Sequence, residues 1–383
     1  MKRILPAIIV VALILGAAAW FGLSRRPPQV SAQLIAAVED IRGYARADGT
    51  RPLDLPADFG PHPDYLTEWW YYTGNLDSVD GRHFGYQLTF FRRAVSPPHL
   101  RQPRESDWAA DQLYLAHFSL TDVAGNEYRA FERFTRGAAG LAGAQAEPYR
   151  VWLEDWQIEQ RAPDVVALHA LQDDIVLDLT LTDVKGIILQ GEAGFSLKGA
   201  EPGNASYYFS QTRLQTEGSV TIRGETFAVG GLSWMEHEFS TSALAPDQVG
   251  WDWFSIQLDD GSELMLFQLR KEDGSTDPFS SGTFIAVDGQ TTHLAHEDFE
   301  IAVGDTWRSL RSGAEYPSQW ELRVPSLDLI LALEPHLSDQ ELNVFFVYWE
   351  GAVRIAGTRA GNAVVGNGYV EMTGYAASMQ GQF

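Results

Sequence analysis

The sequence predicts an all-β protein whose strands form sandwiches or barrels. From Tyr65 onward, short runs rich in Val, Ile, Tyr, Phe, Trp and Thr alternate between apolar and polar residues and recur roughly every 10 to 15 residues. After residue 60 no stretch keeps the helical period of about 3.6 residues for more than about two turns. Turn signals separate the runs: Thr73-Gly74-Asn75, Asp80-Gly81, Ala124-Gly125-Asn126, Arg223-Gly224, Asp260-Gly261 and Asp288-Gly289. Short strands at this spacing are typical of all-β sandwiches and barrels.

The N-terminus predicts an export signal in residues 1–26. A basic start, Met1-Lys2-Arg3, precedes an uninterrupted apolar segment at residues 4–23. Two outcomes are open: cleavage at the Ala17-Ala18-Ala19 site, or retention as a signal anchor, since about 20 apolar residues suffice to span a bilayer. We therefore expect a protein of the bacterial cell envelope, periplasmic or secreted if the segment is removed and held to the membrane if it is not.

The rest of the chain divides into a connecting region and two domains. Residues 27–60 predict a short helix followed by a Pro-rich linker, because apolar residues recur at helical spacing before the Arg51-Pro52 dipeptide. The remaining length suits about two domains. A weak echo between the Trp-rich runs at Trp69 and Trp251 suggests two related halves. We place the domains at residues 61–217 and 218–383.

Composition excludes several classes of function. The chain carries 28 Lys+Arg against 51 Asp+Glu, a formal net charge of -23, so nucleic acid is not an expected partner because phosphate contacts need clustered cations. It has no cysteine, hence no disulfide framework. It also lacks a phosphate-binding loop, a dinucleotide fingerprint, a nucleophile elbow and an H-E-x-x-H motif. We therefore expect no metal and no cofactor.

Two strands place ionisable side chains on apolar faces. In an extended run, Met235, His237 and Phe239 share one face, while Trp234, Glu236 and Glu238 share the other. Asp252 falls on the face of Phe254, Ile256 and Leu258. A buried carboxylate needs a partner, and His237 is the obvious candidate. The pair has two open interpretations: an acid/base couple, or a structural hydrogen bond in a core.

Other polar residues favour structural roles. Glu68 alternates with Trp70 and Tyr72, so it either lines a cavity or holds a neighbouring arginine, Arg92 or Arg93. His117 is expected to be a hydrogen-bonded barrel histidine. Glu350 and Glu371 are lone carboxylates beside aromatic residues.

The chain resembles a known family over nearly all of its length from residue 60. Six stretches carry the resemblance: TEWWYYTGNL, FERFTRGAAGLAGAQAEPYRVWLEDW, NASYYFSQTRLQTEGSVTIRGETFAVGGLSWMEHEFS, GWDWFSIQLDDG, YWEGAV and GNGYVEMTGY. Together they resemble the secreted AttH-like proteins related to carotenoid 1,2-hydratase (hydroxyneurosporene synthase). The resemblance implies two lipocalin-like, calycin-type antiparallel β-barrels packed together, with an apolar ligand site near their junction.

The resemblance also implies site residues and two alternative functions. The catalytic roles would fall on His237 and Asp252. Glu236 stands where Asp is frequent in relatives, and Phe239 where Trp is common. The first alternative is a hydratase or hydrolase acting on an elongated apolar, lipid- or isoprenoid-like molecule; the second is a non-catalytic envelope carrier of such a molecule, working with a membrane transporter. The residues expected to contact the ligand are Glu68, Trp70, Tyr72, Trp234, Glu236, Phe239, Trp251 and Trp253.

Overall fold

In the computed structural model, residues 41–102, 104–242 and 244–381 are described, and these residues belong to one compact unit. The predicted export segment and the first part of the expected helix, residues 27–40, lie outside the described residues. Within residues 41–60 the regular structure is limited to the 3-10 helix Ala57–Phe59. No helix in the described part of the chain is long and apolar enough to cross a membrane.

The first half forms a 13-stranded antiparallel sheet that curls into a near-barrel. Along the sheet the strands follow the order β4-β3-β2-β1-β13-β12-β9-β8-β7-β6-β5, and β10 and β11 pair with β12. The strands are β1 (Thr67–Ser78), β2 (His83–Ala94), β3 (Gln112–Asp122), β4 (Glu127–Arg136), β5 (Ala142–Ala146), β6 (Tyr149–Leu153), β7 (Trp156–Ala162), β8 (Val165–Gln172), β9 (Ile175–Asp183), β10 (Ile187–Leu189), β11 (Phe195–Leu197), β12 (Ala205–Ile222) and β13 (Glu225–Ser240).

The second half forms a 10-stranded antiparallel sheet that curls into a half-barrel. Its order is β17-β16-β15-β14-β23-β22-β20-β19-β18, and β21 pairs with β22. The strands are β14 (Gln248–Leu258), β15 (Glu263–Lys271), β16 (Ser281–Ile285), β17 (Thr291–Ala295), β18 (Glu300–Arg308), β19 (Glu315–Val324), β20 (Leu329–Pro335), β21 (Glu341–Asn343), β22 (Val347–Arg359) and β23 (Asn362–Met372). Further 3-10 helices lie at His296–Asp298 and Pro325–Leu327 in this half and at Pro98–Leu100, between β2 and β3, in the first half. The all-β, two-sheet prediction is confirmed.

The division between the two sheets falls later than the expected domain boundary. The expected boundary between residues 217 and 218 lies inside β12, and the sheets part between Ser240 and Gln248. The turn signal at Arg223-Gly224 closes the β12–β13 hairpin, and β13 then pairs with β1 from Val229 to Ser240. The hairpin therefore completes the first sheet.

One of the predicted turns is wrong. Thr73-Gly74-Asn75 lies inside β1 and does not reverse the chain. A Cβ atom at Gly74 would come within 2.5 Å of the Tyr86 ring and 2.6 Å of Ser233 Oγ. The glycine is required because neighbouring side chains fill this space, and not because the backbone turns.

The three largest apolar clusters of the described residues result from the alternation of side chains along the strands. Trp70, Tyr72 and Met235 belong to the core of the first sheet, whereas Tyr71 and Trp234 belong to a cluster shared with the second sheet. The second sheet has its own core around Phe254, Trp320 and Trp349. Because successive side chains point to opposite faces, β1 and β13 contribute both to the barrel interior and to the layer between the sheets.

Candidate functional site

An aromatic pocket lies between the two sheets. It is lined by Trp69, Tyr71, Phe91, Lys198, Tyr208, Glu236, Glu238, Leu244, Trp251, Trp253, Phe267, Leu269 and Glu371. The cavity measures about 80 Å³, which is below the roughly 300–1,000 Å³ of ordinary ligand pockets. A molecule larger than this volume would fit only if the aromatic side chains that line the cavity moved apart.

Strand register positions the pocket residues. In the pairing of β1 with β13, Trp69 lies opposite Glu238 and Tyr71 lies opposite Glu236. In the second sheet, Trp253 of β14 lies opposite Glu371 of β23. Directly opposed side chains share one face of a sheet, so each carboxyl group stands beside an aromatic ring.

Glu236 is a buried carboxyl group with several hydrogen-bond donors. Its Oε1 accepts a hydrogen bond from Trp234 Nε1, and its Oε2 accepts one from Ser210 Oγ at 2.8 Å. Burial nevertheless raises the pKa of Glu236 to about 8, because removing the charged form from water outweighs these donors. Glu236 therefore keeps its proton at neutral pH.

Glu371 is the second carboxyl group of the pocket with a raised proton affinity. Its Oε2 accepts a hydrogen bond from Trp251 Nε1 at 3.1 Å. Burial raises the pKa of Glu371 to about 7, and the nearby carboxylate of Glu238 raises it further. Glu371 is therefore partly ionised at neutral pH, the condition under which a group both gives and takes protons efficiently.

The predicted pair of His237 and Asp252 is not formed. His237 faces the interior of the first sheet, where its Nε2 lies 2.9 Å from Glu68 Oε1. Asp252 lies in the second sheet and accepts hydrogen bonds from Arg270 Nε at 3.0 Å and from the Tyr375 hydroxyl at 3.1 Å. The alternation placed each side chain on the expected face, but the two faces belong to different sheets and supply different partners.

Glu68 is the centre of a buried network in the first barrel. It accepts hydrogen bonds from Arg92 Nε at 2.7 Å and from the backbone N–H of His62 at 2.9 Å. His62 Nδ1 lies 2.7 Å from Glu68 Oε1, and His62 Nε2 lies 2.9 Å from Asp58 Oδ1. Glu68 thus holds an arginine, as one of its two interpretations predicted.

Three side chains of the same network have ligand atoms close enough together to bind a metal ion, and among the described residues they form the one such group. The ligand atoms of His62, Glu68 and His237 lie within 4.8 Å of one another. Each of these side chains already bonds another, and the guanidinium of Arg92 compensates the charge of Glu68. We interpret the group as a hydrogen-bonded network that holds residues 58–62 against the barrel.

The structure divides the expected ligand-contacting residues into two sets. Glu236, Trp251 and Trp253 line the pocket, and Trp234 stands behind Glu236. Glu68, Trp70 and Tyr72 are buried in the first barrel, and Phe239 stacks on the His62 ring with centroids 3.5 Å apart. The other ten residues that line the pocket were not expected from the sequence, although strand alternation opposite Trp70 and Tyr72 pointed to the first two: Trp69, Tyr71, Phe91, Lys198, Tyr208, Glu238, Leu244, Phe267, Leu269 and Glu371.

Two residues with expected structural roles keep hydrogen-bond partners between the sheets. His117 Nδ1 lies 2.6 Å from the Tyr348 hydroxyl and its Nε2 lies 3.1 Å from Glu132. Glu350 is fully buried and accepts a hydrogen bond from the Tyr71 hydroxyl at 2.9 Å. The contact between His117 and Tyr348 and the bond from Tyr71 to Glu350 tie the first sheet to the second.

The chain is similar to a known protein family and to several solved structures. A model of the AttH-like family matches residues 46–375. A protein of Nitrosomonas europaea described as AttH, with a crystal structure, is 36% identical at a TM-score of 0.77, covering 86% of this chain and 99% of that chain. Kievitone hydratase from Nectria haematococca is 16% identical at a TM-score of 0.65, covering 88% and 97%. CghA crystallised with Sch210972 is 11% identical at a TM-score of 0.54, covering 88% and 97%. The last two likenesses show the fold alone. No curated protein matches the chain.

Proposed function

The chain belongs to the AttH-like family, as the resemblance predicted, and we propose that it binds an elongated apolar molecule between its two sheets and carries out hydratase-type acid/base chemistry on it. One observation carries the proposal: Glu236 and Glu371, two carboxyl groups with pKa values near neutral pH, face one aromatic pocket. Kievitone hydratase shares the fold and is a hydratase by name, which supports the reaction class.

The pocket provides what the hydration of a C=C bond needs. Glu371 in its protonated form gives its proton to one alkene carbon, which leaves a carbocation on the other. The faces of Trp69 and Trp251 stabilise that charge by about 0.5–2 kcal/mol per ring. Water then bonds to the cation and returns a proton to the Glu371 carboxylate, so that the acid is restored.

Glu236 has a different role in this scheme. Its carboxyl group stays protonated at neutral pH and is held in place by Trp234 and Ser210. A neutral carboxyl group donates a hydrogen bond without adding charge to an apolar pocket. Glu236 therefore orients the hydroxyl group of the hydrated product. His237 and Asp252, with partners elsewhere, are not assigned a chemical step.

The experiment starts from the molecule that the protein carries. The purified chain is extracted with organic solvent, the compound is identified by mass spectrometry, and it is returned to the protein in water labelled with heavy oxygen. We expect wild type to incorporate the label, and Glu371→Gln to lose at least about 100-fold in rate, the scale of general acid/base catalysis, while still binding the compound. Asp252→Asn is the control that should keep the rate.

Two results would count against hydration. A rate unchanged in Glu371→Gln would remove the assigned acid. Retention of the compound without turnover by wild type would favour the carrier alternative. Export to the cell envelope, with residues 1–26 as the signal, is also part of the proposal, and fractionation of cells expressing the full chain tests it.

A further inference from the structure

Lysine is rare in this chain, and one lysine is placed in the pocket. Only four of the 28 basic side chains are lysines: Lys2, Lys185, Lys198 and Lys271. Among the described residues that line the pocket, Lys198 is the sole cation. Arginine carries charge as well as lysine does, but its guanidinium stays protonated and is not a nucleophile. An amine at this position can act as a nucleophile once it has lost a proton, which a guanidinium does not do.

The backbone of Lys198, the residue after β11, is held by two hydrogen bonds. Its N–H donates to Asn204 O at 3.0 Å, and its carbonyl accepts a hydrogen bond from Gln248 Nε2 at 2.8 Å. The residue is 9% exposed. The side chain therefore enters the pocket from a fixed point.

The Lys198 amine lies among aromatic rings, close to the carboxyl group of Glu238. Nζ is 3.9 Å from the centre of the Phe267 ring and 5.2 Å from that of Tyr208. Glu238 Oε1 lies 3.4 Å away, longer than the roughly 2.7–2.9 Å of a charge-assisted hydrogen bond. The amine is thus placed beside a proton acceptor without being tightly bound to it.

Lys185 is a structural lysine of the same protein and serves as a comparison for Lys198. Its Nζ donates to Glu263 Oε2 at 2.5 Å, to the carbonyl of Gly261 at 2.7 Å and to that of Ala286 at 3.1 Å. All three protons of the ammonium are used there. Lys198 has no comparable set of acceptors among the described residues.

From these observations we propose that Lys198 forms a Schiff base with the carbonyl group of an apolar aldehyde or ketone held in the pocket. Glu238 takes a proton from the ammonium, and the Nζ lone pair then forms a bond to the carbonyl carbon. The nitrogen passes one of its protons to the oxygen, Glu236 supplies a second, and the oxygen leaves as water; a protonated C=N bond and the Glu236 carboxylate remain. No oxidant or reductant is required. The apolar tail lies against Trp69, Trp251 and Trp253, which line the same cavity.

This inference uses the pocket of the proposed function but does not need hydration to occur. The probe is all-trans-retinal, a slender apolar aldehyde whose absorption changes when it forms an imine. Retinal is mixed with the full chain, the imine is trapped with borohydride, and the labelled peptide is identified by mass spectrometry. We expect one adduct per chain, on Lys198, with Lys185 and Lys271 unlabelled as internal controls.

Three variants distinguish covalent capture from a charge effect. Lys198→Arg keeps the cation and Lys198→Met removes it; both should bind retinal without forming the trapped adduct. Glu238→Gln should slow adduct formation roughly 10-fold or more, because it removes the proton acceptor. Thermal unfolding of each variant shows whether it is folded.

The outcomes separate this inference from the proposed function. Adduct formation in Lys198→Arg, or equal labelling of Lys271, would overturn the assignment of Lys198. Binding of the neutral probe N-phenylnaphthylamine without any retinal adduct would overturn it too, while leaving the apolar pocket intact. Failure of wild type to bind either probe would count against both.

Discussion

Replacing Glu236 by glutamine should make the protein more stable at alkaline pH, although it removes a buried hydrogen-bonded group. The folded-state pKa of Glu236 is raised to about 8, whereas a glutamate in an unfolded chain has a pKa of about 4.3. Between these values the unfolded chain loses its proton while the folded chain keeps it. The stability contributed by the protonated group is therefore present at acid pH and is lost as the pH rises.

The magnitude follows from the width of that window. Each pH unit within it costs about 1.4 kcal/mol, so wild type loses about 4 kcal/mol from this group between about pH 5 and pH 8. Glutamine has no proton to lose. Its oxygen can accept the Trp234 bond, and Ser210 can accept from its amide, at the cost of about 1 kcal/mol for the hydroxyl proton left without an acceptor.

The assay is urea unfolding of both proteins at about pH 5 and about pH 8. We expect Glu236→Gln to be about as stable as wild type at the lower pH, where the raised pKa of Glu236 already costs wild type about 1 kcal/mol, and about 4 kcal/mol more stable at the higher pH. Other titrating groups cancel in the difference, because both proteins share them. A difference that does not change with pH would show that Glu236 is ionised in the folded protein and would refute the reasoning.

Two predictions concern the network in the first barrel. Glu68→Gln should lower the free energy of unfolding in urea by about 3–5 kcal/mol, because it leaves the fully buried Arg92 without its carboxylate. The control is Glu132→Gln at the partly exposed pair with His117, which should lower it by less than about 1 kcal/mol. Equal losses in the two variants would contradict the prediction for Glu68. Saturating Zn²⁺ should change the unfolding free energy of wild type by less than about 1 kcal/mol, since an occupied site would add more by linkage; a larger gain would identify the Glu68 group as a metal site.

The sequence predicted which face each side chain occupies better than it predicted which side chains meet. Alternation correctly placed His237 on the face of the first core, where its ring contacts Trp70 and Phe209. It also placed Asp252 on the face of the second core, where it bonds Tyr375. The partner of His237 came instead from β1, because antiparallel pairing sets Trp70 opposite His237 and Glu68 opposite Phe239. His237 and Glu68 are 169 residues apart in the sequence. The register that brings their strands together depends on tertiary packing, and the pattern of residues within either strand does not reveal it.

Glu371 was given a structural role for a related reason. In the sequence it is a lone carboxyl group between apolar residues of the last strand. Its raised pKa arises only when β23 packs in the second sheet and that sheet covers the pocket, because this packing removes water from the carboxyl group. The two-sheet fold itself was predictable through the resemblance and the strand spacing, both of which extend from about residue 60 to the last strand.

The aromatic run of β1 explains how one strand serves both stability and chemistry. Trp70 and Tyr72 fill the first barrel, while Trp69 and Tyr71 line the pocket. Because the side-chain period of a strand is two, substitutions on the pocket face leave the packing of the barrel face in place. In a fold built on such strands, the carboxyl groups, the aromatic rings or the one lysine of the pocket can be substituted while the core is kept. Fold alone therefore does not fix the reaction, and the assignment for this chain depends on Glu236, Glu371 and Lys198.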